Sequence, residues 1–331
     1  MLNQFLRIAC CAVLIAGVSA VPSWARGERG GPPGTVNYVE GEAWIGSTQL
    51  TSKSVRSTDL SRGETLTTKT GKVELLLTPG VFLRVDDNSS VTMVSPDLAN
   101  IDVTVDTGRA AVEVLDIMKE NDIRLGLGGV STRLLHDGLY EFDADHHGIL
   151  AFDGKAEVYA GNQKVKLKGE HMVALDVTPL QAKKFDTRKY EDNFFRWCAL
   201  RSGYLSEASV NAARSYVGEG PGWYGPGWYG PGWYWDPDFL AYTYLPADGI
   251  FYSPFGWGFY SPIEVYQSPF YFGSHFGREH HRFDELHYPY GHGFEPREGF
   301  HEGGHEHRGG HFHGSGGFHG RSGGSHGRHR R

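Results

Sequence analysis

Polar and apolar positions alternate differently in successive stretches of this chain. An apolar run from Ile8 to Val21 follows one positive charge at Arg7 and ends in small residues before charge resumes at Arg26. This is the pattern of a secretory signal peptide over residues 1–25, because about fourteen apolar residues fall short of the ~20 that span a bilayer. Cleavage is expected after Ala25, with Ala20 as second choice. Cys10 and Cys11 lie at the start of the run, whereas a lipid-modified cysteine would follow it. No later stretch is long and apolar enough for a transmembrane helix in the mature chain, so a periplasmic or secreted location is expected.

From Thr35 to about Asp176 the pattern shortens. Runs rich in Val, Ile, Leu and Thr, such as Val36 to Val39, Lys72 to Leu77, Val81 to Val85, Ala110 to Leu115 and Gly148 to Phe152, are separated by turn residues such as Thr78-Pro79-Gly80 and Ala160-Gly161-Asn162. Turn-punctuated β-branched runs with no intervening amphipathic helix predict an all-β fold, a hairpin-repeat β-roll or solenoid, or a sandwich. Gly41-Glu42-Ala43, Gly108-Arg109-Ala110 and Gly154-Lys155-Ala156 each place a turn glycine before a charged residue and an alanine. Such recurrence predicts stacked hairpin units that bury one continuous core.

The same residues carry a family resemblance. Val39 to Ala43 (VEGEA), Leu60 to Thr68 (LSRGETLTT), Lys72 to Val85 (KVELLLTPGVFLRV) and Val103 to Val114 (VTVDTGRAAVEV) resemble a FecR-type domain. Phe152 to Ala156 and Leu167 to Glu170 resemble its closing strands. That family is known from the periplasmic part of iron-transport regulators. The resemblance implies an extracytoplasmic all-β binding or signalling module over residues 35–176, without catalytic residues. Those regulators place a cytoplasmic sigma-factor-binding segment before a membrane helix, whereas here a signal peptide leads almost directly into the β region. The resemblance therefore carries over as export and binding, and not as a transmembrane anti-sigma role.

Between Asp186 and Val217 apolar residues recur at steps of three and four, through Phe194, Trp197, Cys198, Leu205, Ala208, Ala212 and Tyr216. They predict an amphipathic helix, broken near Gly203. Cys198 falls in the apolar stripe, where a buried core thiol is expected rather than a redox centre. With Cys10 and Cys11 in the signal peptide, it has no intramolecular disulfide partner in the mature chain.

Residues 218–273 are an aromatic mosaic rich in Gly and Pro, opening with GPGWY three times over at residues 220–234. A period of five fits neither helix nor strand, and the prolines remove backbone donors, so turn-like or extended backbone is expected. Its rings either pack over the helix and one face of the β domain, or stay partly exposed as amphipathic platforms for sugars, peptidoglycan or further copies of the chain. The platform candidates are Trp223, Tyr224, Trp228, Tyr229, Trp233 and Tyr234. No Lys or Arg occurs in this mosaic, which sets aside the basic groove of a single-stranded nucleic-acid site.

Composition sharpens the picture only at the end of the chain. The 331 residues carry a net charge of −7, which excludes a generally basic nucleic-acid binder, and 13 of the 17 His lie after Ser274. Residues 274–331 are too poor in aliphatic side chains to offset their ordering entropy and are expected to be disordered. His301-Glu302-Gly303-Gly304-His305 matches a zinc-protease string, but its two glycines do not favour the helix that string needs. Non-catalytic chelation fits better: His280, His281, His301, His305, His307, His311 and His313 are candidate ligands for Zn, Ni or Cu. Asp143-x-Asp145 opens like a calcium loop but has Gly154 where a bidentate Glu is required. No cofactor or enzyme activity is expected. The reading is an exported binding or signalling module for an envelope protein or polysaccharide. The alternative is a metal-binding or metal-responsive surface protein acting through the tail.

Overall fold

β-branched residues at alternate positions favour extended backbone with one buried side, and the domain is built from such segments. The computed structural model describes residues 30–217 and 230–267. The expected signal peptide, the first two GPGWY copies and the His-rich tail lie outside them. The strands are β1 (Val36–Ile45), β2 (Thr48–Gln49), β3 (Thr65–Leu76), β4 (Val81–Val85), β5 (Ser90–Asp97), β6 (Asn100–Thr107), β7 (Arg109–Val114) and β8 (Asp122–Leu127). They continue with β9 (Val130–Leu134), β10 (Gly138–Asp143), β11 (Gly148–Ala151), β12 (Lys155–Ala160), β13 (Gln163–Lys168), β14 (His171–Ala174) and β15 (Ala182–Lys184).

These fifteen strands form one sheet folded into two layers, with β3 at the fold. The first residues of β3, Thr65 to Thr67, pair with β5, and its last, Val73 to Leu76, pair with β4, while β1 runs antiparallel along its other edge. Layer I continues as β5, β6, β8, β9, β12 and β13, and layer II as β4, β7, β10, β11, β14 and β15. All pairs are antiparallel except β6 with β8. Between the layers lies a continuous apolar core, with Leu66, Val91, Val103, Leu125 and Val158 from layer I facing Val73, Leu83, Val112, Phe142 and Ile149 from layer II. The all-β expectation is met in this two-layered form.

The recurring glycine pattern has another meaning than expected. Gly41, Gly108 and Gly154 have φ of 68°, 66° and 91° and mark places where the chain passes from one layer to the other. The strands on either side of Gly108 and Gly154 do not pair with each other, so these are corners and not hairpin turns. A Cβ at Gly41 would lie 2.1 Å from the Thr70 carbonyl oxygen, which leaves room for glycine alone.

After a short 3₁₀ turn, α1 (Asn193–Tyr216) crosses the outer side of layer II. Asp192 caps it, its Oδ1 accepting from the Phe194 and Phe195 amides at 3.0 and 3.1 Å. The helix runs unbroken through Gly203, contrary to the expected break. Glycine serves there to admit the Trp257 ring, from which a Cβ would lie 3.2 Å away. Two hairpins follow, β16 (Gly232–Asp236) with β17 (Ala241–Leu245) and β18 (Ile250–Tyr252) with β19 (Gly258–Tyr260), then the short helix α2 (Pro262–Gln267). Leu76, Phe82 and Leu115 on the outer side of layer II pack with Leu205, Trp233, Tyr242, Tyr244 and Phe259 in a second apolar core. The molecule is thus three layers deep on one side of the sandwich.

Candidate interaction face

The two outer sides of the sandwich have opposite fates. On layer II the strands β4, β7, β10 and β11 are buried on both faces, because α1 and the aromatic hairpins cover them. On layer I the outward positions of β5, β6, β8, β9, β12 and β13 stay half-buried or exposed and are mostly polar, with Val94 an exposed apolar exception. They include Thr92, Thr104, Asp102, Arg124, Arg133, Glu157 and Lys166.

A charge network holds the cover on layer II. Arg84 of β4 donates from Nε to Glu74 Oε2 at 2.9 Å and from Nη1 to Glu113 Oε2. From α1, Arg201 Nη2 donates to Glu74 Oε1 at 2.9 Å and Ser202 Oγ to Glu113 Oε1 at 2.6 Å. Arg201 also stacks on the Tyr38 ring, 4.0 Å from its centre. Asn37 ties the first hairpin down, donating to the Tyr242 carbonyl at 2.9 Å and accepting from the Tyr242 amide at 2.7 Å. Glu74, Arg84 and Glu113 are wholly buried. Burial pulls the Glu74 carboxyl up, but the Arg201 and Arg84 guanidiniums outweigh it and hold the group below its usual range. Glu113 has one guanidinium neighbour, and burial pushes it up. The difference between the two carboxyls is the charge that α1 brings through Arg201.

A second tie lies at the start of α1. Arg109 Nη1 donates to Asp192 Oδ2 at 2.6 Å and Nη2 to Asp86 Oδ2 at 2.6 Å, with the guanidinium over the Phe194 ring at 5.3 Å. Glu141 of β10 faces the same Arg109 nitrogen at 3.7 Å and is pushed up to about 8 by burial. Sequence reasoning missed this interface. Its signal was present as single charges inside apolar runs, in KVELLL, VFLRV and AAVEV.

The outer side of layer I, which no described element covers, is a largely polar ladder. Thr65 and Thr92 share a hydrogen bond at 2.8 Å, and Thr92 donates to Asp106 at 2.6 Å. Farther along, Arg124 and Arg133 both pair with Asp122 at 2.9 Å, and Lys164 pairs with Glu157 at 2.6 Å. Tyr159 beside them donates to Glu157 at 2.5 Å. This side offers rows of hydrogen-bonding and charged groups on rigid strands, an arrangement suited to holding an extended surface or chain.

Among the expected platform rings, Trp223, Tyr224, Trp228 and Tyr229 lie outside the described residues. Trp233 and Tyr234 do not present open faces. Trp233 packs edge-on against Phe82 with ring centres 4.9 Å apart, and Tyr234 packs against Tyr216 at 4.9 Å. β16 is buried on both sides, against layer II and against α1, so both rings belong to cores. The expected metal ligands His280, His281, His301, His305, His307, His311 and His313 also lie outside the described residues. Among the described residues no group of three or more His, Cys, Asp or Glu could hold a metal ion. Asp143 serves its turn, accepting from the His146 amide and lying 2.8 Å from His146 Nδ1, while Asp145 accepts from the Gly108 amide. Cys198 is buried in α1, and burial pushes its thiol up, away from the low range of reactive thiols. No described helix is long and apolar enough to cross a membrane.

No protein-family model matches the chain, and no curated protein matches it. Two crystal structures of a candidate anti-sigma factor from Parabacteroides distasonis are similar to it, each at 12% identity. One, at 1.65 Å, aligns over 42% of this chain and 65% of its own with a TM-score of 0.33. The other, at 2.50 Å, aligns over 54% and 96% with a TM-score of 0.32. The chain thus spans less than two thirds of the first structure, and similarity at this level transfers no function.

Proposed function

We propose that this chain is an exported, non-catalytic binding module of FecR-like architecture that holds an envelope protein or polysaccharide against the open side of layer I. The observation that supports this reading is the asymmetry of the sandwich. One outer side is sealed by a helix and two hairpins through buried ion pairs, and the other, which no described element covers, is a largely polar ladder of six strands. A rigid sheet with one free side positions side chains for contact over a wide area without enclosing a reaction centre. The test is a photo-crosslinking residue at Thr104, on the open side, and separately at Glu207, exposed on α1, in the full chain in cells that export it. Thr104 should capture envelope material and Glu207 should not; capture from Glu207 alone would overturn the reading.

A second reading, metal binding or metal response through the tail, is favoured by the 13 His after Ser274. Neutral imidazoles in pairs such as His311 and His313 chelate divalent transition metals without a folded scaffold.

A further inference from the structure

We infer that the open side of layer I ends in a lysine row that takes a linear polyanion, a polysaccharide bearing carboxylates or phosphates; this rests on reading that side as the contact face. Charge is segregated along the fold. Residues 30–152 hold 10 Lys and Arg against 18 Asp and Glu, whereas residues 153–189, which form β12 to β15, hold 8 against 5. The reversal falls at one end of the sandwich.

On β13, Lys164, Lys166 and Lys168 are exposed at alternate positions, so they point the same way at intervals of roughly 6.6 Å. Lys155 of β12 lies directly opposite Lys168, also exposed. Like charges directly across a pair of strands are destabilising, and a single substitution would remove the conflict. The arginines of this side, and Lys164 within the row, do have carboxylate partners. Arg124 and Arg133 share Asp122, and Lys164 takes Glu157. Among the described residues Lys155 and Lys168 have no close carboxylate, and Lys166 lies across from Glu157, whose close ion pair is already with Lys164.

Lysines on an edge strand also block unwanted strand pairing, which would account for β13. It does not account for Lys155, because β12 is hydrogen-bonded on both sides, to β9 and to β13. The chemistry of the ligand follows from the residue type and the layout. Lysine is a flexible point charge, without the planar fork that arginine offers to a single carboxylate or phosphate. The charges do not converge on one point, so they suit a repeated anion and not a lone one. They form a line along a strand, spaced on the order of one sugar residue, with the half-buried Tyr159 ring beside Lys164 at 5.5 Å. A line fits a chain better than it fits the plane of a membrane.

The test uses the full chain without its signal peptide at about pH 8, where the tail imidazoles are neutral. Binding to polygalacturonate, to polyphosphate and to phosphatidylglycerol vesicles is followed by sedimentation. At least one polymer should bind and be released by salt, and which one binds separates carboxylate from phosphate sources. Lys155→Gln with Lys166→Gln and Lys168→Gln should weaken that binding roughly tenfold, and the three Arg replacements should keep it. Unchanged polymer binding in the Gln variant, binding to vesicles only, or binding to neither polymer overturns the inference. Self-association of the Gln variant without loss of polymer binding also overturns it, by reducing the row to edge protection. Capture from Thr104 alongside any of these results leaves the broader reading standing; absence of that capture removes the broader reading whatever the lysines do.

Discussion

Glu141 occupies a place where a carboxylate is costly to charge. It is 3% exposed, and the guanidinium it faces is already shared by Asp86 and Asp192. Burial first, then the negative charges of Asp192, Asp143 and Asp86, push it up to about 8 against the pull of Arg109. The folded protein therefore keeps a proton that the unfolded chain releases near pH 4.5. Because the folded state binds more protons between those values, this residue makes stability fall as pH rises from about 4.5 to about 8, with no further change above. Glu141→Gln cannot release a proton. Denaturant unfolding of the two proteins should show a gap that opens in favour of the Gln variant across that window, reaching at most a few kcal/mol. A gap that stays constant with pH would mean that Glu141 is charged in the folded protein.

At the scale of elements, the glycine corners and the covering helix show what a sequence displays and what it hides. The pattern of glycine, charge and alanine was visible in the chain, but its use was not, because a corner and a hairpin turn both ask for positive φ. The difference lies in what surrounds the glycine. A Cβ on Gly154 would lie 2.5 Å from the Asp137 carbonyl oxygen and 2.2 Å from the Tyr140 hydroxyl, whereas one on Gly161, in the β12–β13 hairpin, meets nothing within 4 Å. Both have positive φ, 91° and 55°. Gly161→Ala should therefore cost about 1 kcal/mol for backbone strain alone, and Gly154→Ala at least about twice that, read by equilibrium unfolding. Equal costs would show that the corner yields. The same limit explains why the interface under α1 was not legible. Alternation tells that a strand has two sides, and Glu74, Arg84, Glu113 and Glu141 have the look of a wet side. Only the third layer, whose Arg201 and Ser202 lie 127 and 89 positions from Glu74 and Glu113, turns that side into an interior. Helix periodicity did reveal α1, but Gly203 was misread, since its reason is a ring from residue 257.

For the whole molecule, the consequence is that residues 186–217 and 230–267 belong to the fold and not to an appendage. Phe82, Leu76 and Leu115 are wholly or almost wholly buried beneath them, each worth roughly 1.5–3 kcal/mol of burial, and Arg84 with its two Glu partners loses Arg201 and Ser202 if the cover goes. A chain ending at Phe185 should expose an apolar strip beside a charge cluster deprived of one cation, bind a hydrophobic dye and aggregate. A chain ending at Gly273 keeps α1 and both hairpins, so its melting temperature should match that of the full chain. The two truncations also separate the functional readings. If the module works through layer I, the chain ending at Gly273 should still be captured through Thr104, while its affinity for Zn or Ni, measured by calorimetry, should drop with the 13 His removed. Loss of capture on removing the tail, with the melting temperature unchanged, would shift the function from the sheet to the histidines.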